Sequence, residues 1–287
     1  MQATIELSII IVGYHSQSTL PNCLESINQQ IGCSIEVIYI ENSLLGSSVH
    51  IVKDNVPTAQ IIEPNINLGF SKACNLGAQK ATGDYLLFLN PDCEINTIDT
   101  LKNMLQYMCS DSEIGIGCPL FINPRGKIKS GVHKKYFGES RFYHHMNTLK
   151  GDYAWSSGAA LMISSQLYQQ VGGFDEQYFM FFEDMDLGLS VRKAGYKVCE
   201  IPNTLVMHIG GQSACQAWTR SEGILIFEKA RYLFTAKNYS PEQHRFIWNR
   251  YRLKKLLNVI STILLFQLKL LSFNLIKMRV INQICRR

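Results

Sequence analysis

The apolar residues Leu86-Leu87-Phe88-Leu89 run straight into Asn90-Pro91-Asp92, and that junction restricts the fold more than any other part of the chain. A short continuous apolar run reads as a strand buried on both faces of a parallel sheet. Three turn formers break it and leave a carboxylate at the strand's carboxyl end, where open α/β sheets gather their ligands. Hard oxygen ligands at such a turn suit a divalent ion, and the ion suits a diphosphate. Asp92 is therefore the expected centre of a metal and nucleotide site. The plainer reading of Asn-Pro-Asp is a turn without further role.

The pattern repeats along the chain. Leu7 to Val12, LSIIIV, predicts the first, central strand, followed by Gly13-Tyr14-His15-Ser16 and a helix with Pro21 in its first turn and Leu20, Leu24 and Ile27 on one face. Ile35 to Ile40 predicts a second strand that ends at Glu41, a candidate acceptor for a base or ribose. A third, near Gln60 to Glu63, leads through Asn67 and Gly69 into a helix over about 71–81 with Ala73, Leu76 and Ala81 inside and Gly83 as its C-terminal stop. After Asp92 the spacing predicts a helix over about 98–108. Strands alternating with helices predict an α/β layer. No Gly-x-Gly-x-x-Gly follows the first strand, which leaves a dinucleotide oxidoreductase without support.

Beyond an irregular stretch from Arg125 to Lys150, Trp155 to Ile163 predicts another strand, whose Ser-Ser-Gly lets a partner approach the backbone. Phe179 to Leu187, FMFFEDMDL, places Glu183, Asp184 and Asp186 in the first turn of a helix that Gly195 ends. Beside an aromatic run the acids are partly desolvated, which raises a carboxyl toward general-base use. A last strand is expected over Tyr196 to Ile201, and His208 follows beside glycines.

Charge divides the chain. All 23 Asp and Glu lie at or before Glu242 and ten of the 28 Lys and Arg lie after it, so the body has 18 − 23 = −5 and the tail +10. Basic residues interleaved with Leu, Ile and Phe fit an anionic membrane surface better than a nucleic acid. The apolar run between Lys255 and Lys269 is short of the roughly 20 residues that span a bilayer, so an interfacial helix pair is expected; a core helix packed on the sheet is the alternative. Nine cysteines without a CxxC pair suggest reduced cytosolic thiols, and the N-terminus reads as lacking a signal peptide.

The ordered pieces SIIIVGYHS, EVIYIENS, NINLGFSKACNLGAQKATGDYLLFLNPD, GAALMI, GGFDEQYFMFFEDMDLGLSVRKAGY and HIGGQS resemble the inverting glycosyltransferases of family 2. The branch they resemble is that of bacterial rhamnosyltransferases of O-antigen, lipopolysaccharide and other cell-surface polysaccharide assembly. The resemblance implies a GT-A fold: a Rossmann-like, mostly parallel sheet flanked by helices, over residues 1–240. A nucleotide-binding half over about 1–120 and an acceptor half over about 121–240 would be followed by a basic amphipathic helical extension over 241–287. It implies nucleotide-sugar contacts at Tyr14, Glu41, Asn67, Gly69, Asn90 and Asp92, and Mg²⁺ or Mn²⁺ at Asp92 and His208. Asp184 matches the catalytic base with Glu183 as its neighbour, and Trp155 and Gly158 are the acceptor contacts. Glu41 stands where Asp is more usual, and Asn90 replaces the first acid of Asp-x-Asp. The implied reaction moves a sugar, L-rhamnose from dTDP-rhamnose first, to a polyprenyl-diphosphate-linked saccharide, with the tail holding the enzyme on the inner face of the cell membrane. A UDP-hexose donor and a membrane-bound assembly protein without turnover are the competing expectations.

Overall fold

In a computed structural model the described residues are 5–44, 47–139, 148–210, 218–264 and 268–284. The chain forms two compact units, one of residues 1–136, 145–179 and 183–217, the other of residues 137–144, 180–182 and 218–287. The helix ahead of residue 241 thus groups with the tail helices.

The first unit is built on a sheet whose spatial order is β3-β2-β1-β4-β10-β6-β11-β5, with β7 paired to β6. Its strands are β1 (Leu7–Gly13), β2 (Ile35–Glu41), β3 (Gln60–Ile62), β4 (Tyr85–Leu89), β5 (Cys93–Ile95), β6 (Ile114–Ile122), β7 (Ile128–Lys129), β10 (Ala160–Ser164) and β11 (Lys197–His208), while β8 (Val132–His133) and β9 (Trp155–Ser156) form a separate ribbon. β1, β2, β3 and β4 are mutually parallel. β10 then runs antiparallel between β4 and β6, and β5 antiparallel to β11. Every residue of β1 is buried, as a central strand covered on both faces requires.

Helices α1 (Leu20–Asn28), α2 (Val49–Asn55), α3 (Phe70–Ala78), α4 (Thr100–Ser110), α5 (Ser165–Gln170) and α6 (Glu183–Lys193) connect the strands. α1 starts with Pro in its first turn and buries Leu20, Leu24 and Ile27, as the spacing predicts. α3 differs from the expectation. It stops at Ala78 and buries Ser71, Ala73, Cys74 and Gly77, while Leu76 and Ala81 are half-buried. Gly83 does not cap it: its backbone is not left-handed, and a Cβ there would lie 2.8 Å from the amide nitrogen and Oγ of Ser8. Its role is close approach to β1. α4 begins two residues late, because Thr97 Oγ1 bonds Asp99 and Thr100 in a turn and Ile98 faces solvent. The Trp155–Ile163 run is interrupted at residues 157–159, and β11 continues seven residues past Ile201 to His208.

The second unit contains α7 (Arg220–Asn238), α8 (Pro241–Leu264) and α9 (Leu268–Ile284). Thr219 and Glu222 close a reciprocal capping box at the start of α7. Trp248 Nε1 donates to Thr235 Oγ1 at 2.8 Å, and Asn274 Nδ2 to Thr262 Oγ1 at 3.1 Å, so polar pairs tie α8 to both neighbours. The expected helix pair of the tail is present. Among the described residues no helix is long and apolar enough to cross a membrane. Leu253, Leu256, Leu257 and Ile260 are exposed and, at spacings of three and four, line one stripe of α8.

Candidate active site

β4 carries Asn90-Pro91-Asp92 to the carboxyl edge of the parallel strands, and the chain returns along β5. β5 pairs with the end of β11, which sets His208 opposite Cys93. That register brings His208 Nε2 to 3.5 Å from Asp92 Oδ1. The other carboxylate oxygen accepts from the Gly210 amide at 3.1 Å, and the Asp92 carbonyl accepts from Ile209 at 3.2 Å. Asp92 is buried, and the His208 ring rests on Phe121, centroids 5.4 Å apart. Cys93 Sγ belongs to the same cluster, but its thiol donates to the Ala159 carbonyl at 3.3 Å. Burial, then the Asp92 charge, push that thiol far above its usual range. A protonated sulfur is a poor ligand for a hard ion. The donors that fit a divalent ion are the Asp92 carboxylate and the His208 imidazole, with phosphate oxygens or water needed to complete its shell.

The second acidic group opens α6. The chain reaches it through Phe181 and Phe182, two consecutive residues with φ of 71° and 68°, a left-handed conformation that costs non-glycine residues about 1–3 kcal/mol each. Asp184 Oδ2 accepts from the Gly158 amide at 3.1 Å and Oδ1 from the Met185 amide at 2.8 Å. Both bonds favour the charged carboxylate, yet burial outweighs them and raises Asp184 to about 6. Glu183 is fully inside, with Oε2 lacking a hydrogen-bond partner. Desolvation, followed by the Asp184 charge, lifts it far above the usual carboxylate range. The pair thus consists of a neutral acid beside a carboxylate that ionises close to neutrality, which is the condition a general base needs. Asp186, also in the first turn, accepts from Tyr178 Oη at 3.3 Å in the interior and braces the motif.

One dipeptide joins the two acidic groups. The Ala159 carbonyl accepts from the Asn90 amide at 2.9 Å and from the Cys93 thiol, while the preceding Gly158 amide holds Asp184. The nearest atoms to where a Gly158 Cβ would stand are Asp184 and Phe70 side-chain atoms, the closest at an ordinary 3.5 Å, so the glycine is not required for space. Its amide is the functional group. Trp155 lies two residues upstream of Ser157, stacked on His133 at 3.9 Å and 16°, with Nε1 donating to the Lys135 carbonyl at 3.0 Å. Burial holds His133 below its ordinary pKa, so the stack is between neutral rings at pH 7.

The remaining candidates surround the ends of β1 and β2. Tyr14 meets His15 edge to face at 4.5 Å, and the His15 amide donates to Ser43 Oγ at 2.9 Å. Glu41 is buried and already engaged by its own chain. Its carboxylate accepts from the amides of Ser43 at 3.0 Å and Ser48 at 2.6 Å, and from Tyr39 Oη and Ser47 Oγ at 3.3 and 3.4 Å. It therefore fixes the loop that follows β2. Asn42, absent from the sequence-based candidates, bonds Asn67 Oδ1 at 3.1 Å and the Gly69 carbonyl at 3.2 Å, and accepts from the Leu68 amide at 2.8 Å. Gly69 has φ 77°, and a Cβ would fall 2.4 Å from the Phe179 carbonyl, which accepts from the Phe70 amide at 2.7 Å. Turn and close contact both require glycine.

The family model described as glycosyl transferase family 2 matches residues 8–172, more than half of the 287 residues. The chain belongs to glycosyl transferase family 2. A second model, glycosyl transferase family group 2, matches residues 97–282. Among curated relatives, the N-acetylglucosaminyl-diphospho-decaprenol L-rhamnosyltransferase of Mycobacterium tuberculosis is 23% identical over 266 residues, covering 82% of this chain and 85% of that protein. The O-antigen chain rhamnosyltransferase RfbN of Salmonella typhimurium is 24% identical over 212 residues, covering 71% and 66%. Solved structures of similar fold include the mannosyltransferase PcManGT from Pyrobaculum calidifontis in complex with GDP-Man and Mn²⁺, with a TM-score of 0.59, 17% identity and coverage of 86% of this chain and 68% of that one. GalNAc-T7 with UDP, GalNAc and Mn²⁺ has a TM-score of 0.59 and 16% identity over 80% of this chain. This chain spans about half of that one (48%). The GT-A likeness agrees with the α/β fold expected from the sequence.

In this family 2 glycosyltransferase the structure brings together Asp92 with His208, Asp184 with Glu183 and Gly158, and Asn67 with Gly69. Sequence reading missed Asn42 and Ala159. Asn42 carried one signal, its place directly after a strand-ending acid; Ala159 acts through its carbonyl, which no side-chain pattern reveals. Residues 211–213 of the last motif lie outside the described residues.

Proposed function

We propose that the chain transfers a sugar from a nucleotide sugar to a lipid-linked saccharide with inversion, L-rhamnose from dTDP-rhamnose being the first donor to test. The observation that carries this reading is the Gly158-Ala159 link. It ties a carboxylate–imidazole pair suited to a leaving diphosphate to a carboxylate suited to deprotonating an acceptor. The rhamnosyltransferase relatives support the donor and acceptor classes.

Asp92 and His208 would hold Mg²⁺ or Mn²⁺, which supplies positive charge against the departing diphosphate. Asp184 takes the acceptor hydroxyl proton onto a carboxylate oxygen as that hydroxyl attacks the anomeric carbon. The Gly158 and Met185 amides fix the carboxylate's orientation. Glu183, held neutral, adds no second charge beside it. A single displacement inverts the anomeric centre, and such base catalysis contributes about 10² to 10⁴ in rate. Tyr14, Asn67, Gly69 and Asn90 are assigned to the nucleotide sugar, with Glu41 acting through the loop it braces. Trp155 offers a stacking face to an acceptor sugar. The exposed Leu253, Leu256, Leu257 and Ile260, set among Arg250, Arg252 and Lys254, support docking of α8 on an anionic membrane surface.

The test is a thermal-shift screen of dTDP-rhamnose and UDP-hexoses with and without Mn²⁺, followed by transfer to a polyprenyl-diphosphate saccharide. Metal-dependent stabilisation by dTDP-rhamnose, and inverted product, are expected. Stabilisation by a UDP-hexose alone would reassign the donor. Donor binding without turnover on any acceptor would favour an assembly role.

A further inference from the structure

The three helices of the second unit each send charged or aromatic groups to one point. Glu228 of α7 has no solvent exposure and accepts from Arg231 Nη1 at 3.0 and 2.9 Å. From α8, Tyr251 Oη donates to Glu228 Oε1 at 2.8 Å, and from α9, Lys277 Nζ stands 3.8 Å from the same oxygen. Lys255 of α8 lies over the Tyr251 ring at 5.1 Å. The charges acting on it are those of Lys277, Glu228 and Arg231, and burial together with Lys277 holds its ammonium below the usual lysine range. Arg231 is flanked by Phe137 at 4.6 Å, and by Phe227 and Tyr251 at 4.7 Å each. Its Nε is buried with no hydrogen-bond partner.

Arg231 and Lys277 thus meet Glu228 directly, Lys255 stands over the Tyr251 ring whose hydroxyl donates to Glu228, and the two lysines repel each other. A buried one-to-one ion pair contributes little net stability after desolvation, and an unmatched buried charge is destabilising. Packing alone gives no reason to place Lys255 beside Lys277. An oxyanion between them does, because it replaces ammonium–ammonium repulsion with charge-assisted hydrogen bonds and offers an acceptor to the Arg231 fork. We propose that Arg231, Lys255 and Lys277 form a binding site for a phosphate or diphosphate group. Two sources share that chemistry, the diphosphate of a lipid-linked saccharide and the headgroup of an anionic phospholipid. The first rests on the function proposed above, and the second does not.

The probe is inorganic pyrophosphate, added to the full-length protein in EDTA so that the Asp92 site has no metal to recruit it. At a hundredfold excess over its Kd the melting temperature should rise by about 5–10 °C. Asp92→Asn should keep that rise. Lys255→Met and Lys277→Met should each lose most of it, while melting without anion at or above the wild-type temperature because the mutual repulsion is gone. A rise of wild-type size in both lysine variants, or none in the wild type, overturns the proposal. Where the rise is lost, a KM for the diphosphate-linked acceptor increased about tenfold at constant donor KM assigns the site to the acceptor. Loss of cosedimentation with phosphatidylglycerol vesicles at constant acceptor KM assigns it to the headgroup. A wild-type chain that binds pyrophosphate in EDTA but transfers no sugar would defeat the proposed function and leave this site standing.

Discussion

Asp184→Asn separates what the carboxylate does for transfer from what it does to the fold. The folded chain raises this carboxyl from 3.8 to about 6 through burial, a difference equivalent to about 3 kcal/mol. Because the folded value lies above the unfolded one, this contribution is fully present below about pH 3.8 and is lost as pH rises through about 6. Above pH 7 the wild type therefore bears the whole cost of an ionised Asp184, and asparagine removes it. Against that gain, the asparagine oxygen can accept from only one of the two amides, Gly158 or Met185, and leaving the other unsatisfied costs about 1–3 kcal/mol. The variant should be neutral to about 2 kcal/mol more stable at pH 8 and less stable than wild type at pH 4.5. About 2 kcal/mol of that contribution is present at pH 4.5 and almost none at pH 8, so the melting-temperature gap between the two proteins, followed by circular dichroism, should change by about 4–8 °C across that range. Transfer should fall by about 10²–10⁴-fold, and wild-type kcat/KM should decline as pH drops through about 6. A gap that ignores pH would refute the desolvation argument, and undiminished transfer by the variant would refute the role as base.

Three further outcomes follow from the same geometry. Asp92→Asn should lower transfer by at least about 100-fold, since metal-assisted charge stabilisation is worth several kcal/mol; Mn²⁺ titration of donor-dependent thermal shifts reads the weakened site directly. Gly69→Ala sets a Cβ against the Phe179 carbonyl in a left-handed backbone. A penalty of about 1–3 kcal/mol should lower the melting temperature by several degrees and raise donor KM. Replacing the exposed Leu256 and Leu257 together by Gln should reduce vesicle binding roughly 30-fold at about 1 kcal/mol per half-buried leucine, with an unchanged melting temperature; equal vesicle binding would remove α8 from the membrane surface.

The parallel half of the sheet was legible because LSIIIV, the Ile35 run and LLFL are uninterrupted apolar segments, the signature of strands covered on both faces. The acidic motifs were legible because each follows such a segment or opens a helix with apolar residues at regular spacing. β6 was not. Its sequence IGIGCPLFI reads as a broken run, yet the glycines are there for packing: a Cβ at Gly115 would fall 2.4 Å from Val191 and one at Gly117 2.5 Å from Met108. α2 was missed because it buries only Val52 and shows no apolar stripe. The partnership of Asp92 and His208 depends on the β5–β11 register, and no local pattern encodes which distant strand a three-residue segment will join. Glu41, read from the sequence as an acceptor for a base or ribose, also accepts from Tyr39 of its own strand and from Ser43, Ser47 and Ser48 of the loop that follows, partners that no local pattern announces.

The hydrogen bond from Gly210 to Asp92 spans 118 residues of sequence, and this sets a clock on synthesis. At translation rates of about 5–20 residues per second, Asp92 leaves the ribosome roughly 6–24 s before the strand that supplies His208. For roughly the first 3–14 s of that interval β4 also lacks the antiparallel neighbour β10 that closes its open side, since β10 starts at Ala160. A nascent chain of this protein therefore carries an unfinished sheet edge, and half of the proposed metal site, for several seconds. A divalent ion held by Asp92 and His208, as proposed above, could join only after β11 has docked and could not act as an early folding nucleus.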